Sequence, residues 1–499
     1  MNWMGRVSFE SDSDLHLRDY CLVAAAAAFG ISIYLAVAAS IYRLGFPLDD
    51  SWIHATYARN LAVSHEWAFQ LGQRSAGSTS PFWTLLLTPG YWLGLAPLWW
   101  SYFLGFVTLA GLGLVAEVTT RGLADSYRPQ IPWVGLFVAL EWHMLWAAAS
   151  GMETLLHATL ATILLGMLVT GSRKYSALGL LTGLSVWIRP DGLTLVGPVL
   201  VVLVLSGPDA ASRLRALTSY LVGFGALFVP YLVFNLWLSG TLMPNTFYAK
   251  QAEYAAWQAR SPLYRVGIGL VQLSTGPFIL LWPGLAISVC RIVKSRNIAM
   301  GAAFAWCVLY GIMYMLRLPA YQHGRYLMPA MPMLFVLGML GYLEFRGLTW
   351  MGKHHWAAQW AWQSGVLLLS VGFLILGARA YGEDVALIET EMVNTAHWVE
   401  QRIPPGAVIA AHDIGALGYF DRHTLIDLAG LASPQVLPFI RDEARLADFL
   451  DQRGVQYLIA FPDLYPGLAA HSEPVHSSGG KFAPAAGHGN MTVYCWRCR

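Results

Sequence analysis

The sequence predicts a polytopic all-α membrane protein with a small soluble α/β domain at its C-terminal end. Three observations carry that prediction. Hydrophobic residues make up 56% of the chain and charged ones only 12%, against roughly 25% charged in a soluble domain, so water is not its main solvent. Apolar runs of bilayer or near-bilayer length recur from 21 to 380, where a span needs ~20 mostly apolar residues. Beyond about 381 the runs shorten and alternate with glycine-rich loops, as strands and helices do in a folded domain. The 21 Trp, 23 Tyr and 22 Phe suit aromatic belts at two membrane interfaces. A net charge of +2 gives no basic field for nucleic acid, which is excluded as a partner.

In order, the candidate spans are 21–43, 100–120, 131–149, 155–170, 176–189, 192–206, 215–238, 265–290, 298–316, 327–345 and 360–380, about eleven in all. The first is long and no small-residue cleavage site follows it, so it reads as a retained span rather than a signal segment. The run 80–96 opens with Ser80-Pro81, a helix start. Thr88-Pro89-Gly90 would break a span near its middle. It reads as a helix lying in the interface.

Lysine and arginine set the orientation. With the N-terminus inside, the inner loops carry Arg18, Arg121 with Arg128, Arg173-Lys174, Arg213 with Arg215, Arg291 with Lys294 and Arg296, and Arg346 with Lys353. The outer segments are then 44–99, 150–154, 239–264, 317–326 and everything after about 381. The expected protein is integral to the plasma (inner) membrane, with a cytoplasmic N-terminus. Its domains are a transmembrane part, 1–381, whose first outer loop is 44–99, and an extracytoplasmic α/β domain, 382–499. In the latter, 385–402 reads as helix, Val408–Ala411, Thr424–Asp427 and 456–460 as short buried strands, and 445–452 as a helix between two of them. Cys21, Cys290 and Cys307 sit in apolar runs as small core residues. Cys495-Trp496-Arg497-Cys498 is a candidate disulfide if the tail is extracytoplasmic.

The unusual polar residues fall on the expected outer face. Asp49 and Asp50 follow the first span. A carboxylate near low-dielectric walls can serve as general base for a hydroxyl; equally, Asp50 could cap a helix 51–63 and Asp49 be solvated surface. Ser150-Gly151-Met152-Glu153 has capping-box spacing, while Glu153 is also placed to bind a sugar hydroxyl or assist a base. Arg189-Pro190-Asp191-Gly192 interrupts an apolar run. Ionisable residues there are functional or mutually paired, so Arg189 either pairs with Asp191 or faces a phosphate. Lys250, in Asn245-Thr246-Phe247-Tyr248-Ala249-Lys250, and Arg325, in His323-Gly324-Arg325-Tyr326, are phosphate-binding cations or snorkelling anchors. His412-Asp413 stands at a strand end. Among the His and Cys residues none has zinc-ligand spacing.

Several of these motifs, in this order, resemble the GT-C superfamily of glycosyltransferases. They are Asp49-Asp50-Ser51-Trp52-Ile53, Tyr57-Ala58-Arg59-Asn60, Ser80-Pro81-Phe82-Trp83, Ser150-Gly151-Met152-Glu153-Thr154, Arg189-Pro190-Asp191-Gly192, Pro244–Lys250 by number 244–250, and Gly324-Arg325-Tyr326-Leu327. The branch they look like is that of the cell-wall terminal arabinofuranosyltransferases. The stretch 405–435, with Asp413-Ile414-Gly415-Ala416-Leu417-Gly418-Tyr419, is similar too. Ser51 and His54 depart from the residues common in that loop and leave the sugar open.

The resemblance implies a GT-C-like fold and an inverting transfer of a sugar, arabinofuranose or a hexose such as mannose. The donor it implies is a polyprenyl-phosphate sugar and the acceptor a cell-envelope glycan, lipid or protein. It implies that Asp49 is the general base, joined by Asp50 and Glu153. Arg189, Asp191, Asn245, Tyr248, Lys250, His323 and Arg325 are then expected around the donor, and His54, His412 and Asp413 on the acceptor side. No cofactor is required, and a divalent metal is left open. A lipid-linked-sugar transporter or flippase and an oligosaccharide ligase are the alternatives. The transporter predicts helix breaks in matching halves, and the sequence displays one.

Overall fold

The computed structural model describes residues 15–124, 127–347 and 354–498; Lys353, an expected inner-loop charge, lies outside them. Among the described residues seven helices are long and apolar enough to cross a membrane, and three shorter apolar helices accompany them. The bundle opens with α1 (Leu17–Ile41). Its buried residues, Val23, Ala27, Ile31, Tyr34 and Ala38, recur every three or four positions, one stripe of a 3.6-residue helix. Next come α2 (Asp50–Ser64), the short strands β1 (Ala68–Gln70) and β2 (Gln73–Arg74), α3 (Pro81–Trp92) and α4 (Pro97–Leu123). Ser80 caps α3 through its side-chain oxygen, 3.3 Å from Trp83 N. Twelve residues at 1.5 Å each make roughly 18 Å, short of a ~30 Å hydrocarbon core.

The expected span 131–149 is two helices, α5 (Trp133–Leu140) and α6 (Trp142–Ala149). Glu141 divides them because its carboxylate accepts from the His143 and Met144 N–H groups, capping α6. After α7 (Thr154–Val169) and α8 (Tyr175–Ile188), Arg189 is extended and Pro190 opens a 3₁₀ turn leading to α9 (Val196–Leu205). Then follow α10 (Ala210–Ser239), α11 (Asn245–Glu253), α12 (Ala255–Gln258) and α13 (Pro262–Ser274). The expected span 265–290 is also divided. Gly276, at φ 104°, and Pro277 separate α13 from α14 (Trp282–Ser295), a conformation that needs glycine. Completing the bundle are α15 (Ile298–Arg317) and α16 (Met331–Gly347). Both α7 and the start of α16 are buried all round, which puts them at its centre. Gly284 and Gly341 let α14 and α16 touch: a Cβ on Gly341 would lie 1.8 Å from the Gly284 carbonyl oxygen.

The long α17 (His354–Ile388) continues through a π-helical turn into α18 (Asn394–Arg402). Arg43, just past α1, binds Glu389 and Asn394 across that turn. Beyond it lie β3 (Val408–Ala411), α19 (Gly415–Phe420), β4 (Thr424–Asp427), α20 (Glu443–Gln452), β5 (Tyr457–Ala460), β6 (Glu473–Ser477) and β7 (Thr492–Cys495). The sheet order is β4-β3-β5-β7-β6. Ile409 pairs in parallel with Leu425 and Tyr457, and Leu458 pairs antiparallel with Tyr494. The first three strands are those read from the sequence. β6 and β7 are additions: β6 is a largely exposed edge, and β7 is four residues between a loop and the Cys495–Cys498 disulfide. One apolar core joins this sheet to the segment after α1, since Trp52, Ile53 and Tyr57 of α2 pack with Ile409, Ile414, Leu425 and Ile459. The tail therefore sits on the loop that carries Asp49 and Asp50.

Candidate active site

Asp49 and Asp50 stand side by side but have different partners. Asp49 precedes α2 in helical conformation, φ −64° and ψ −35°, and does not cap it. Its Oδ2 accepts from Gly415 N at 2.6 Å and its Oδ1 from Ala416 N at 2.8 Å, so the helix it caps is α19 in the tail. Asp50, expected as the cap of α2, is instead its first residue, and its carboxylate accepts from Arg325 Nη2 at 2.9 Å. Burial pushes Asp49 up to about 6 even though the two backbone N–H groups favour its charged form. Asp50 also feels burial, but the Arg325 guanidinium and Lys250 ammonium outweigh it and hold the carboxyl below the usual range.

Arg325 is 2% exposed. Its Nη2 is shared between Asp50 and the Tyr326 hydroxyl, at 2.9 and 3.0 Å, while Nε and Nη1 have no hydrogen-bond partner among the described residues. Lys250, on α11, lies 5.0 Å from the centre of the Tyr326 ring, as does the Arg325 guanidinium. Asp49, Asp50, Lys250, Glu253, Arg325, His412 and Asp413 all line one cavity of about 200 Å³. A smaller lobe of about 30 Å³, sharing Asp50, Lys250 and Arg325, reaches His54, Thr246 and Glu153.

Behind that lobe Arg189 is saturated. Nη1 donates to Glu153 Oε1 at 2.9 Å, Nε to Asp191 Oδ1 at 3.0 Å and Nη2 to the Tyr314 hydroxyl at 3.2 Å. The Tyr310 and Tyr314 hydroxyls both donate to Asp191 Oδ2 at 2.6 Å. Of the two readings of Arg189, the pairing with Asp191 is the one present, within a cluster that also holds Glu153, Tyr310 and Tyr314. The capping box expected at 150–153 is absent, because the Glu153 side chain makes no cap. Glu153 Oε2 lies 3.4 Å from His54 Nε2. Burial opposes ionisation of Glu153, but His54 and Arg189 hold its carboxyl far below the usual range.

From the tail, His412 and Asp413 do reach the cavity. His412 Nδ1 is 2.8 Å from the Tyr465 hydroxyl; burial and Arg441 pull its imidazole down to about 3. Burial, with Asp49 and Asp50 nearby, pushes Asp413 up to about 8. Asn245 is structural: its Nδ2 donates to Leu431 O at 2.9 Å and its backbone N–H to Ala76 O, tying loop to tail. Two expected donor residues lie outside the cavity. His323 Nε2 is 2.8 Å from Asp384 Oδ2, beside Trp142 and Trp146. Tyr248 is 38% exposed, its ring edge-on to Phe247.

The sequence reading missed Glu253, Tyr326 and Arg441. Glu253 follows Lys250 by three residues on one helix, so helical spacing alone places it on the same face. Arg441 forms an ion pair with Glu253 across the cavity wall. Among the described residues the one group of His and carboxylates close enough to share a cation is Glu400, Asp421 and His423, in the tail and away from this cavity.

Bundle and capping domain together define a class of fold. The chain is similar to the crystal structure of ArnT from Cupriavidus metallidurans bound to undecaprenyl phosphate, with a TM-score of 0.57 and 16% identity, covering 95% of this chain and 98% of that one. The fold is that of the GT-C glycosyltransferases, and the apolar helices make this an integral membrane protein. In sequence it is similar to the terminal β-(1→2)-arabinofuranosyltransferase of Mycobacterium tuberculosis, 27% identical over 289 residues, 52% of this chain and 43% of that protein. The Corynebacterium glutamicum protein of the same name is 26% identical over 329 residues, 56% of this chain and 46% of the other. The chain thus spans less than half the length of the curated relatives it matches. Residues 383–494 match the family model described as Domain of unknown function (DUF8728).

Proposed function

We propose that this protein is an inverting glycosyltransferase that moves a sugar from a polyprenyl-phosphate donor to a hydroxyl of a cell-envelope acceptor. The likeness to the two arabinofuranosyltransferases favours arabinofuranose as the sugar and a glycan as the acceptor. The observation that carries the reading is an unsatisfied buried cation in a cavity lined by carboxylates. Arg325 and Lys250 line it together with Asp49 and Asp413, and the buried Nε and Nη1 of Arg325 have no hydrogen-bond partner among the described residues. A buried donor without a partner is costly, and a phosphate oxygen would satisfy it with a charge-assisted bond.

In this reading the acceptor hydroxyl gives its proton to Asp49 as its oxygen bonds the anomeric carbon. The bond from that carbon to the phosphate oxygen breaks on the opposite face, and its electron pair leaves with the polyprenyl phosphate. Arg325 and Lys250 take up the charge of the departing phosphate. Holding both reactants in line removes much of the entropic barrier. Glu153 keeps Oε2 for a substrate hydroxyl, whereas Arg189 and Asp191 brace it from behind. The site and tail would lie outside the plasma membrane, with the lipid entering between helices, and the chemistry as written requires no metal.

The helix divisions at Glu141 and Gly276 are what a transporter of lipid-linked sugar would also show, so turnover must be measured. Purified protein in nanodiscs is offered labelled polyprenyl-phosphate arabinofuranose and hexose donors with envelope glycan. Transfer from one of them, lost in Arg325→Met, supports the transferase. Binding of the donor by wild type with neither transfer nor hydrolysis supports transport.

A further inference from the structure

We propose that the tail domain is a working part of the catalytic site: α19 holds the Asp49 carboxylate, with Gly415, Ala416 and Arg59 as positioning residues. This rests on the reading of Asp49 as the base, and it gives a task to a segment whose family model is described as a domain of unknown function.

The contact is built at three points along α2 and the residue before it. At one end of α19, Gly415 and Ala416 each donate a backbone N–H to a different oxygen of Asp49, at 2.6 and 2.8 Å. At the other end Arg59 donates to the Gly418 and Tyr419 carbonyl oxygens, with its guanidinium 4.9 Å from the Tyr419 ring centre. There too Trp52 packs on Tyr419 and Phe420, both at 4.8 Å between ring centres. Residues 49, 52 and 59 lie within one stripe at 100° per residue. A six-residue helix is thus held at its start by Asp49 and at its end by Trp52 and Arg59, all on a single face of the first loop.

The fit leaves no room for side chains on the glycines. A Cβ on Gly415 would fall 1.9 Å from the Asp49 carbonyl oxygen and 2.8 Å from its carboxyl carbon. One on Gly418 would fall 2.1 Å from the Phe69 ring. At 415 only glycine lets the chain come this close to Asp49, while the next donor, Ala416, carries its side chain without blocking the contact.

Asp413, two residues from Gly415, lacks such donors. Both carboxyls are buried at the same cavity and repelled by Asp50, and Asp413 is repelled by Asp49, Glu253 and Asp427 as well. Asp49, with two donors, sits at about 6. Asp413 sits at about 8, and no hydrogen bond to its carboxylate is present among the described residues. The two backbone donors favour the charged form of Asp49 against its burial and fix which way its lone pairs point. In this arrangement α19 acts on the reaction through Asp49.

Hydrogen exchange on the full-length protein in nanodiscs tests the holding directly and needs no substrate. In wild type the amides of 415–420 are expected to be protected. Asp49→Ala should speed their exchange about tenfold, the scale of a lost hydrogen bond to a charged group, with β3 unchanged. Arg59→Met should do the same and lower kcat for transfer without raising the donor KM, and Arg59→Lys should restore part of it. Ala416→Pro, tolerated in a first helical turn, removes one N–H, so the acid limb of kcat/KM should move upward from about pH 6. Unchanged exchange at 415–420 in Asp49→Ala overturns the proposal, as does an Arg59→Met enzyme with wild-type kcat. If exchange responds but wild type transfers no sugar, the clamp stands and the transferase reading falls.

Discussion

Two buried arginines, one lining the cavity and one bonded to Glu153 of its smaller lobe, differ in how many of their nitrogens have partners. Arg189 and Arg325 are 4% and 2% exposed, and both guanidiniums lie within 6 Å of the Tyr326 ring centre. Arg189 spends every nitrogen on Glu153, Asp191 and Tyr314. Arg325 meets one carboxylate and one hydroxyl through Nη2 and leaves Nε and Nη1 without partners among the described residues. Residue type, burial and neighbourhood are shared, so what differs is how much of the charge is already spoken for. Removing one partner of a paired buried cluster leaves an uncompensated charge, whereas a buried donor without a partner is costly until something satisfies it.

The largest expected effect follows from breaking the saturated side. Arg189→Met strands the buried Glu153 and Asp191 carboxylates, at a cost of roughly 3–5 kcal/mol. Yield and apparent Tm in detergent should fall sharply; an unchanged Tm would mean that the cluster is not structural. Arg325→Met should leave Tm close to wild type and weaken binding of polyprenyl phosphate about 10- to 100-fold, the range for lost hydrogen bonds to a charged group. If the two substitutions exchanged these phenotypes, the comparison would be reversed.

A smaller effect separates the cations from the base by pH. Both guanidiniums stay charged throughout the neutral range, whereas Asp49, at about 6, must be ionised to accept a proton. Transfer should therefore be flat above pH 7 and lost as pH falls through about 6, with donor binding less affected. An acid limb near pH 4 would move the base away from Asp49. The smallest effects belong to His323→Ala and Tyr248→Ala, both outside the cavity, whose stability and donor affinity should stay within about 0.5 kcal/mol of wild type.

Much of this arrangement was legible in the sequence, and what was not depended on distant partners. Asp49, Asp50, Lys250, Arg325 and Asp413 were all singled out and all line one cavity. The strands β3, β4 and β5 were readable because each is a short apolar run bounded by turn residues. Roles were harder. Capping was read for Asp50, whereas Asp49 is the residue that caps, and its helix lies 366 residues away. Arg189 has one partner two residues on and another 36 residues earlier, and local pattern exposes only the first. Glu141 sits inside an apolar run whose hydrophobicity hides the division it makes. β6 escaped notice because an exposed edge strand needs no apolar alternation.

The most direct test of the central claim is single-turnover transfer from labelled polyprenyl-phosphate sugar to envelope glycan, by wild type and Asp49→Asn side by side in nanodiscs. The account predicts that both bind the donor and that the Asn enzyme transfers about 10²–10⁴-fold more slowly, the usual loss for a missing general base. Equal rates would contradict it, returning Asp49 to the part of a carboxylate that only anchors the tail.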